Sequence, residues 1–249
     1  MPDEMFWEIH SGLPREGPGD NTSTRHAFEL MKDLPLHPHI LDVACGPGMQ
    51  TMELARLSDG EITALDFHLP FLQEVDRRVR ESGIANRVKT VHASMMEMPV
   101  SEGHFNIIWC EGAMYIMGVR EALGDWRRFL APGGYIAFTE PCFLTDEPSE
   151  EVRQAWMNDY PAMGSIENTK KIIEETNYDN LGHFVIPDSA WWDEYYTPQE
   201  ARLKVLRETY HDVPEKLKHI EETQAEIDMH RQYSRYYGYI FFVVQKRDR

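Results

Sequence analysis

Basic residues are scarce in this chain: 25 Lys and Arg stand against 42 Asp and Glu, a formal charge of −17 over 249 residues. Nucleic acids are held by clustered Lys and Arg, and no basic stripe interrupts the acidic surplus, so a polynucleotide partner is disfavoured. Cysteine is scarcer still. Cys45, Cys110 and Cys142 are too few for a disulfide framework and show no CxxC spacing, which is consistent with a reducing compartment. Long apolar runs are missing too. The six residues from Tyr239 to Val244 fall far short of the roughly 20 that a membrane span needs, so no membrane partner is expected. The first ten residues, MPDEMFWEIH, carry acids where a secretory signal has a basic segment followed by an apolar stretch. A cytoplasmic location is the resulting expectation.

What is present is a strong alternation of strand and helix signals. His39 to Ala44 reads as a short buried strand, and Met49 to Leu57 as a helix with Gly60 as its C-cap. Glu61 to Phe67 follows as strand, Pro70 to Ser82 as helix closed by Gly83, then Arg87 to Ala93 and Phe105 to Cys110 as strands. Before these, Asp20 to Leu34 places Ala27, Leu30, Met31 and Leu34 on one helical face. After them come a helix from Val119 to Leu130, a Pro132-Gly133-Gly134 turn and a strand from Tyr135 to Glu140. Such spacing predicts right-handed crossovers and an α/β, doubly wound, mainly parallel sheet with helices on both faces. The last hundred residues are less regular, with helices near Glu150 to Asp159 and Ser165 to Thr176 and a strand near Leu181 to Ile186. A polar helical stretch from Pro198 to His230 precedes a closing strand, Tyr236 to Gln245. One domain is expected: an N-terminal lid and helix (1–36), a core (37–145), and a substrate-side region with a helical cap before the last strand (146–249).

The most informative stretch runs from Leu41 through Cys45-Gly46-Pro47-Gly48 to Thr51. Glycines at a strand-to-helix turn let a ligand approach the backbone closely, and an acid at a strand end can bind an ammonium or hydroxyl group. Asp66 ends the next predicted strand, 24 residues beyond Asp42, near the roughly 20-residue offset at which an acid meets a ribose hydroxyl. The third glycine of a dinucleotide fingerprint is absent, which disfavours a nicotinamide-dependent oxidoreductase.

On these residues the chain resembles the class I S-adenosylmethionine-dependent methyltransferases over most of Leu41 to Glu140. The resemblance implies a Rossmann-like, seven-stranded fold, S-adenosylmethionine as cofactor, and methyl transfer to a small-molecule nucleophile. It places the cofactor's amino-acid end at Gly46 and Gly48 and its ribose at Asp66. It further implies cofactor contacts around Asp42, Ala44, Cys45, Gln50, Thr51 and Phe67, at Glu111, and at Ser94 and Met95 for the adenine. Ala44 stands where the family usually has its first glycine, and Ser94 where an Asp is common. The segments Arg15-Glu16-Gly17-Pro18-Gly19-Asp20 and Glu111-Gly112-Ala113-Met114-Tyr115 also resemble a branch of bacterial and archaeal small-molecule methyltransferases.

Glu111 and Tyr115 follow the fourth strand and are candidate catalytic residues on the substrate side, the alternative being a solvated acid and a packed ring. Arg15, Tyr115, Trp191, Tyr195 and Tyr196 are candidate substrate contacts. The aromatic cluster is read either as a cage for a cation or as a packed lid core. His10 and His183 are candidate bases or satisfied histidines. The three cysteines, at neighbouring strand ends, raise the question of a soft-metal site, against which small buried cysteines are the commoner reading; no metal is assigned. A non-catalytic S-adenosylmethionine-binding regulator stays open beside the enzyme, and the oligomeric state is open.

Overall fold

The apolar stretch Ile40 to Val43 forms the buried centre of β1 (His39–Val43), and the glycine turn after it launches α3 (Met49–Leu57). The computed structural model describes residues 4–247, so residues 1–3 of the expected lid lie outside the described residues. Two helices precede that strand, α1 (Glu4–His10) and α2 (Asn21–Glu29). The first half then alternates through β2 (Glu61–Asp66), α4 (Leu69–Glu81), β3 (Val88–His92), β4 (Phe105–Cys110), α5 (Met114–Met117) and α6 (Val119–Trp126). The second half comprises β5 (Leu130–Phe143), α7 (Glu150–Asp159), β6 (Gly164–Ser165), α8 (Ile166–Glu175) and β7 (Tyr178–Val185). The α-helices α9 (Ser189–Trp191), α10 (Thr197–Thr209) and α11 (Pro214–Tyr233), with a π-helical turn at Trp192–Tyr196, lie between β7 and β8 (Tyr237–Lys246).

The sheet runs β3-β2-β1-β4-β5-β8-β7, with the two-residue β6 paired to the end of β5. The first five strands of that order pair in parallel, and β8 runs antiparallel to both β5 and β7. The doubly wound, mainly parallel fold expected from the alternation is therefore present, with β6 added to its seven strands. Because β1 sits between β2 and β4, the chain's progress across the sheet reverses there. That reversal leaves a crevice at the carboxyl ends of β1 and β4, where doubly wound folds take ligands.

Alternate residues of each central strand feed different apolar clusters, as the two-residue period of a strand requires. Ile40, Ile107 and Trp109 join one cluster, while Leu41, Ile108 and Cys110 join the other. Cys45 belongs to the first and Cys110 and Cys142 to the second, so the three thiols do not converge. Among the described residues no group of three metal-binding side chains occurs, and no helix is long and apolar enough to cross a membrane.

Several boundaries differ from the sequence-based expectation, each with a local cause. The helix expected to reach Leu34 stops at Glu29, where Asp33 takes a left-handed φ of 57° and Pro35 follows. Gly60 is not a C-cap, a place taken by Ser58; a Cβ on Gly60 would come within 2.1 Å of the Pro38 carbonyl oxygen. The helix expected to end at Leu130 tightens into a 3-10 turn at Arg127–Phe129, and β5 begins at Leu130, which pairs with Phe105. A register shift between Phe105 and Ile107 absorbs the proline and glycines inside β5. The polar stretch from Pro198 to His230 is two helices, because Pro214 starts α11 afresh.

Candidate functional site

The turn after β1 is held by its own side chains. Ala44, Gly46 and Gly48 adopt φ of 53°, 52° and 86°, a left-handed path that glycine takes freely and alanine does not. Asp42, fully buried, accepts from Thr51 Oγ1 at 2.5 Å and from Gln50 Nε2 at 3.4 Å, tying the first turn of α3 to the end of β1. Burial pushes its carboxyl up to about 7, against the pull of the Thr51 hydroxyl. Gly48 is pressed on by α4, since a Cβ there would lie 2.7 Å from Val75 Cγ2. At the end of β2, Asp66 accepts from the backbone N–H of Gly46 at 2.9 Å and of His68 at 2.8 Å. Its carboxyl is likewise raised by burial, with those N–H groups opposing.

The N-terminal segment closes over this turn. Trp7 of α1 stacks on His68 with centroids 3.7 Å apart and meets Phe67 and Phe71 edge-on. Phe6 stacks on His10, whose Nδ1 lies 2.7 Å from Glu16 Oε2. Arg15, only 4% exposed, donates to Glu194 at 2.7 Å, Glu111 at 3.2 Å and Asn21 at 2.8 Å. Glu111 also accepts from Trp109 Nε1 at 2.8 Å and Thr24 Oγ1 at 2.7 Å. Burial raises its carboxyl, and the Arg15 charge opposes that. With three donors on its two oxygens, Glu111 braces the lid against β4.

Between turn and lid lies a cavity of about 400 Å³. Of the residues expected from sequence, Ala44, Cys45, Gly46, Gln50, Asp66 and Phe67 line it, as do Arg15, Glu111 and Tyr115. Asp42, Gly48 and Thr51 stand behind the turn and shape it. Ser94 and Met95 follow β3 outside the cavity lining: the Ala93 N–H donates to the Asp66 carbonyl, and Ser94 Oγ accepts from the Met96 N–H. Trp191, Tyr195 and Tyr196 do not line it either. Trp191 stacks on His230 with centroids 4.0 Å apart, and Tyr195 stacks on Tyr196 at 4.8 Å across a π-helical turn, Trp192–Tyr196. His183 is exposed, away from the cavity lining, and stacks on Phe242.

A methyltransferase-domain family profile matches residues 40–134, the stretch from β1 to the start of β5. Over that stretch the chain is similar to the class I S-adenosylmethionine-dependent methyltransferases, whose cofactor is S-adenosylmethionine. The chain is 24% identical over 240 residues to the 27-O-demethylrifamycin SV methyltransferase of Amycolatopsis mediterranei, covering 91% of this chain and 81% of that protein. It is 28% identical over 127 residues to a demethylmenaquinone methyltransferase of Lactiplantibacillus plantarum, spanning about half of each chain (49% and 52%). In fold it is similar to a methyltransferase from Geobacter sulfurreducens crystallised with S-adenosyl-L-homocysteine, with a TM-score of 0.84, 22% identity and 99% of both chains covered.

Several residues of the cavity escaped the sequence reading. Phe6, Trp7, Phe71 and Ile116 supply apolar wall, and Glu16 reaches in beside Gly46. The aromatic pair in the first ten residues, Phe6 and Trp7, was the available signal for that apolar wall. Two acids also went unnoticed. Glu140, 3% exposed, accepts from the Tyr160 hydroxyl at 2.7 Å, while its Oε2 has no partner among the described residues. Burial pushes that carboxyl up to about 8. Glu226 accepts from the Tyr196 hydroxyl at 2.9 Å.

Proposed function

We propose that this chain transfers the methyl group of S-adenosylmethionine to a small-molecule acceptor. The observation that carries the reading is the lidded cavity at the carboxyl ends of β1, β2 and β4, floored by the Ala44–Gly48 turn and rimmed by Asp66. Its volume falls in the range of small-ligand sites. The residues suit the cofactor: left-handed backbone at Gly46 lets a ligand approach without meeting a side chain, and the Asp66 carboxylate keeps lone pairs for vicinal hydroxyls. Trp7, Phe67, Phe71 and Ile116 offer apolar surface to a flat heterocycle.

When bound, S-adenosylmethionine supplies an electrophilic methyl carbon on a positively charged sulfur. The chain's own part is to align, desolvate and exclude water. Asp42, Gln50 and Thr51 hold the turn in shape, and the Arg15 ion pairs hold the lid closed. Glu111 is committed to that brace, and Tyr115 is the phenol that lines the cavity. Attack by a free lone pair needs no dedicated base.

Calorimetric titration with S-adenosylmethionine and with S-adenosylhomocysteine is the test. Micromolar binding of both, followed by S-adenosylhomocysteine formation in an acceptor screen, is expected. Binding of neither by folded protein would overturn the reading, and tight binding without turnover on any acceptor would leave a ligand-binding regulator instead.

A further inference from the structure

A second cavity, of about 350 Å³, opens between α7 and α11. The two helices face it with matching patterns: Ala155, Trp156 and Asp159 from one, Ala225, Glu226 and Met229 from the other. These are i, i+1, i+4 sets, so small residues make room while an acid and a large side chain project from each helix. Tyr196 and Tyr237 complete the wall, and no Lys, Arg or His lines it. The helices are tied beyond it by the Tyr233 hydroxyl, which donates to Glu151.

Three features of this wall ask for a ligand. Glu226 lines the cavity as an exposed residue, while the protein atoms packed around its carboxyl raise it above the usual carboxylate range. Asp159 adds a second negative charge; His10, paired with Glu16, draws on Glu226 from outside the cavity wall, and no cationic side chain lines the cavity itself. Tyr237, only 1% exposed, has a hydroxyl with no partner among the described residues, and the Trp156 indole N–H is buried and likewise unpartnered. Burying such donors without acceptors is destabilising. Two carboxylates alone are too few to hold a metal ion, and the described residues offer no third ligand. Aromatic faces at Trp156, Tyr196 and Tyr237 attract an organic cation, and the Met229 thioether suits its alkyl groups.

We propose that this cavity is the acceptor subsite and that it recognises its substrate through a small organic ammonium group carrying a hydrogen-bond acceptor nearby. Glu226 and Asp159 take the positive charge, the rings surround it, and the Tyr237 and Trp156 donors meet the neighbouring oxygen. The inference rests on the methyl-transfer reading for its link to catalysis. Tyr115 supplies that link: it lines the cofactor-side cavity, and its ring lies 5.5 Å from that of Tyr160, the chain neighbour of Asp159. The overall charge of −17 favours approach of a cation.

The test titrates the full chain with ethanolamine, choline and 3,3-dimethylbutan-1-ol, the last matching choline with carbon in place of nitrogen. At least one ammonium compound is expected to bind about ten-fold or more tightly than the alcohol. Binding of neither ammonium compound, or equal binding of the alcohol, overturns the proposal and needs no variant. Glu226→Gln, checked for an unchanged melting curve, is expected to lose about ten-fold in ammonium affinity and Tyr237→Phe a smaller factor; unchanged affinity in both overturns it. S-adenosylhomocysteine is titrated separately. Its failure to bind while choline binds would remove the methyl-transfer reading and leave the ammonium site standing.

Discussion

Asp66 is the single side chain on which the cofactor reading can be weighed most directly. Asp66→Ala removes an acceptor of charge-assisted hydrogen bonds, each worth about 1.5–3 kcal/mol. S-adenosylhomocysteine affinity is expected to fall roughly ten-fold or more by calorimetry. Ala44 is a different residue-level matter, because its φ of 53° strains any side chain. Ala44→Gly relieves about 1–2 kcal/mol of that strain and returns part of it as unfolded-state freedom. A net rise of a few °C in melting temperature is expected. Glu140 has a pH signature. Its carboxyl is near 4.5 unfolded and about 8 folded, so across that window the native state keeps a proton that the unfolded state has lost. Stability from this group is therefore complete below pH 4.5 and declines as the pH rises to about 8. Glu140→Gln should flatten that decline in melting curves taken from pH 5 to 8.5, and an unchanged slope would count against the assignment.

At the level of elements, α1 acts through a few aromatic contacts. Trp7→Ala removes the stack on His68, and aromatic pairs contribute about 0.5–1.5 kcal/mol. A several-fold loss of cofactor affinity with faster amide exchange in residues 4–19 is expected. The central strands were legible because their apolar runs are short, buried and bounded by glycine or proline, as at β1, β2 and β4. Asp66 and the glycine turn were legible for the same reason: they are sequence-local. The contacts of the expected lid were not, since Trp7 meets His68 and Arg15 meets Glu111 and Glu194 only across long separations. The cap's aromatic cluster was read either as a cage or as a packed core; Trp191 is packed on His230 and Tyr239, while Tyr196 joins Trp156 and Tyr237, far apart in sequence, in the wall of the second cavity. Ser94 and Met95 were placed by analogy with the family, and neither lines the described cavity.

Across the whole molecule, Arg15 joins three regions: the lid itself, the end of β4 through Glu111, and the cap through Glu194. The side chains of Arg15 and Glu111 are 4% and 6% exposed, so the pair is buried and depends on both partners. Arg15→Met strands Glu111, and a loss of about 3–5 kcal/mol is expected. Denaturant titration reads that loss, and an effect below about 1 kcal/mol would show the lid to be independent of the core. The topology has a further implication for how the molecule comes into being. β8 fits between β5 and β7, which precede it by about ninety and fifty residues of chain. Until those residues emerge from the ribosome, two strand edges rich in unpaired N–H and C=O groups stand open, each a template for association with other chains. Both cavities share this dependence, because β8 supplies Tyr237 to one and buttresses the sheet beneath the other. Synthesis of the nascent chain thus passes through a long, adhesive stage in which a folded half-sheet waits for its inner strand.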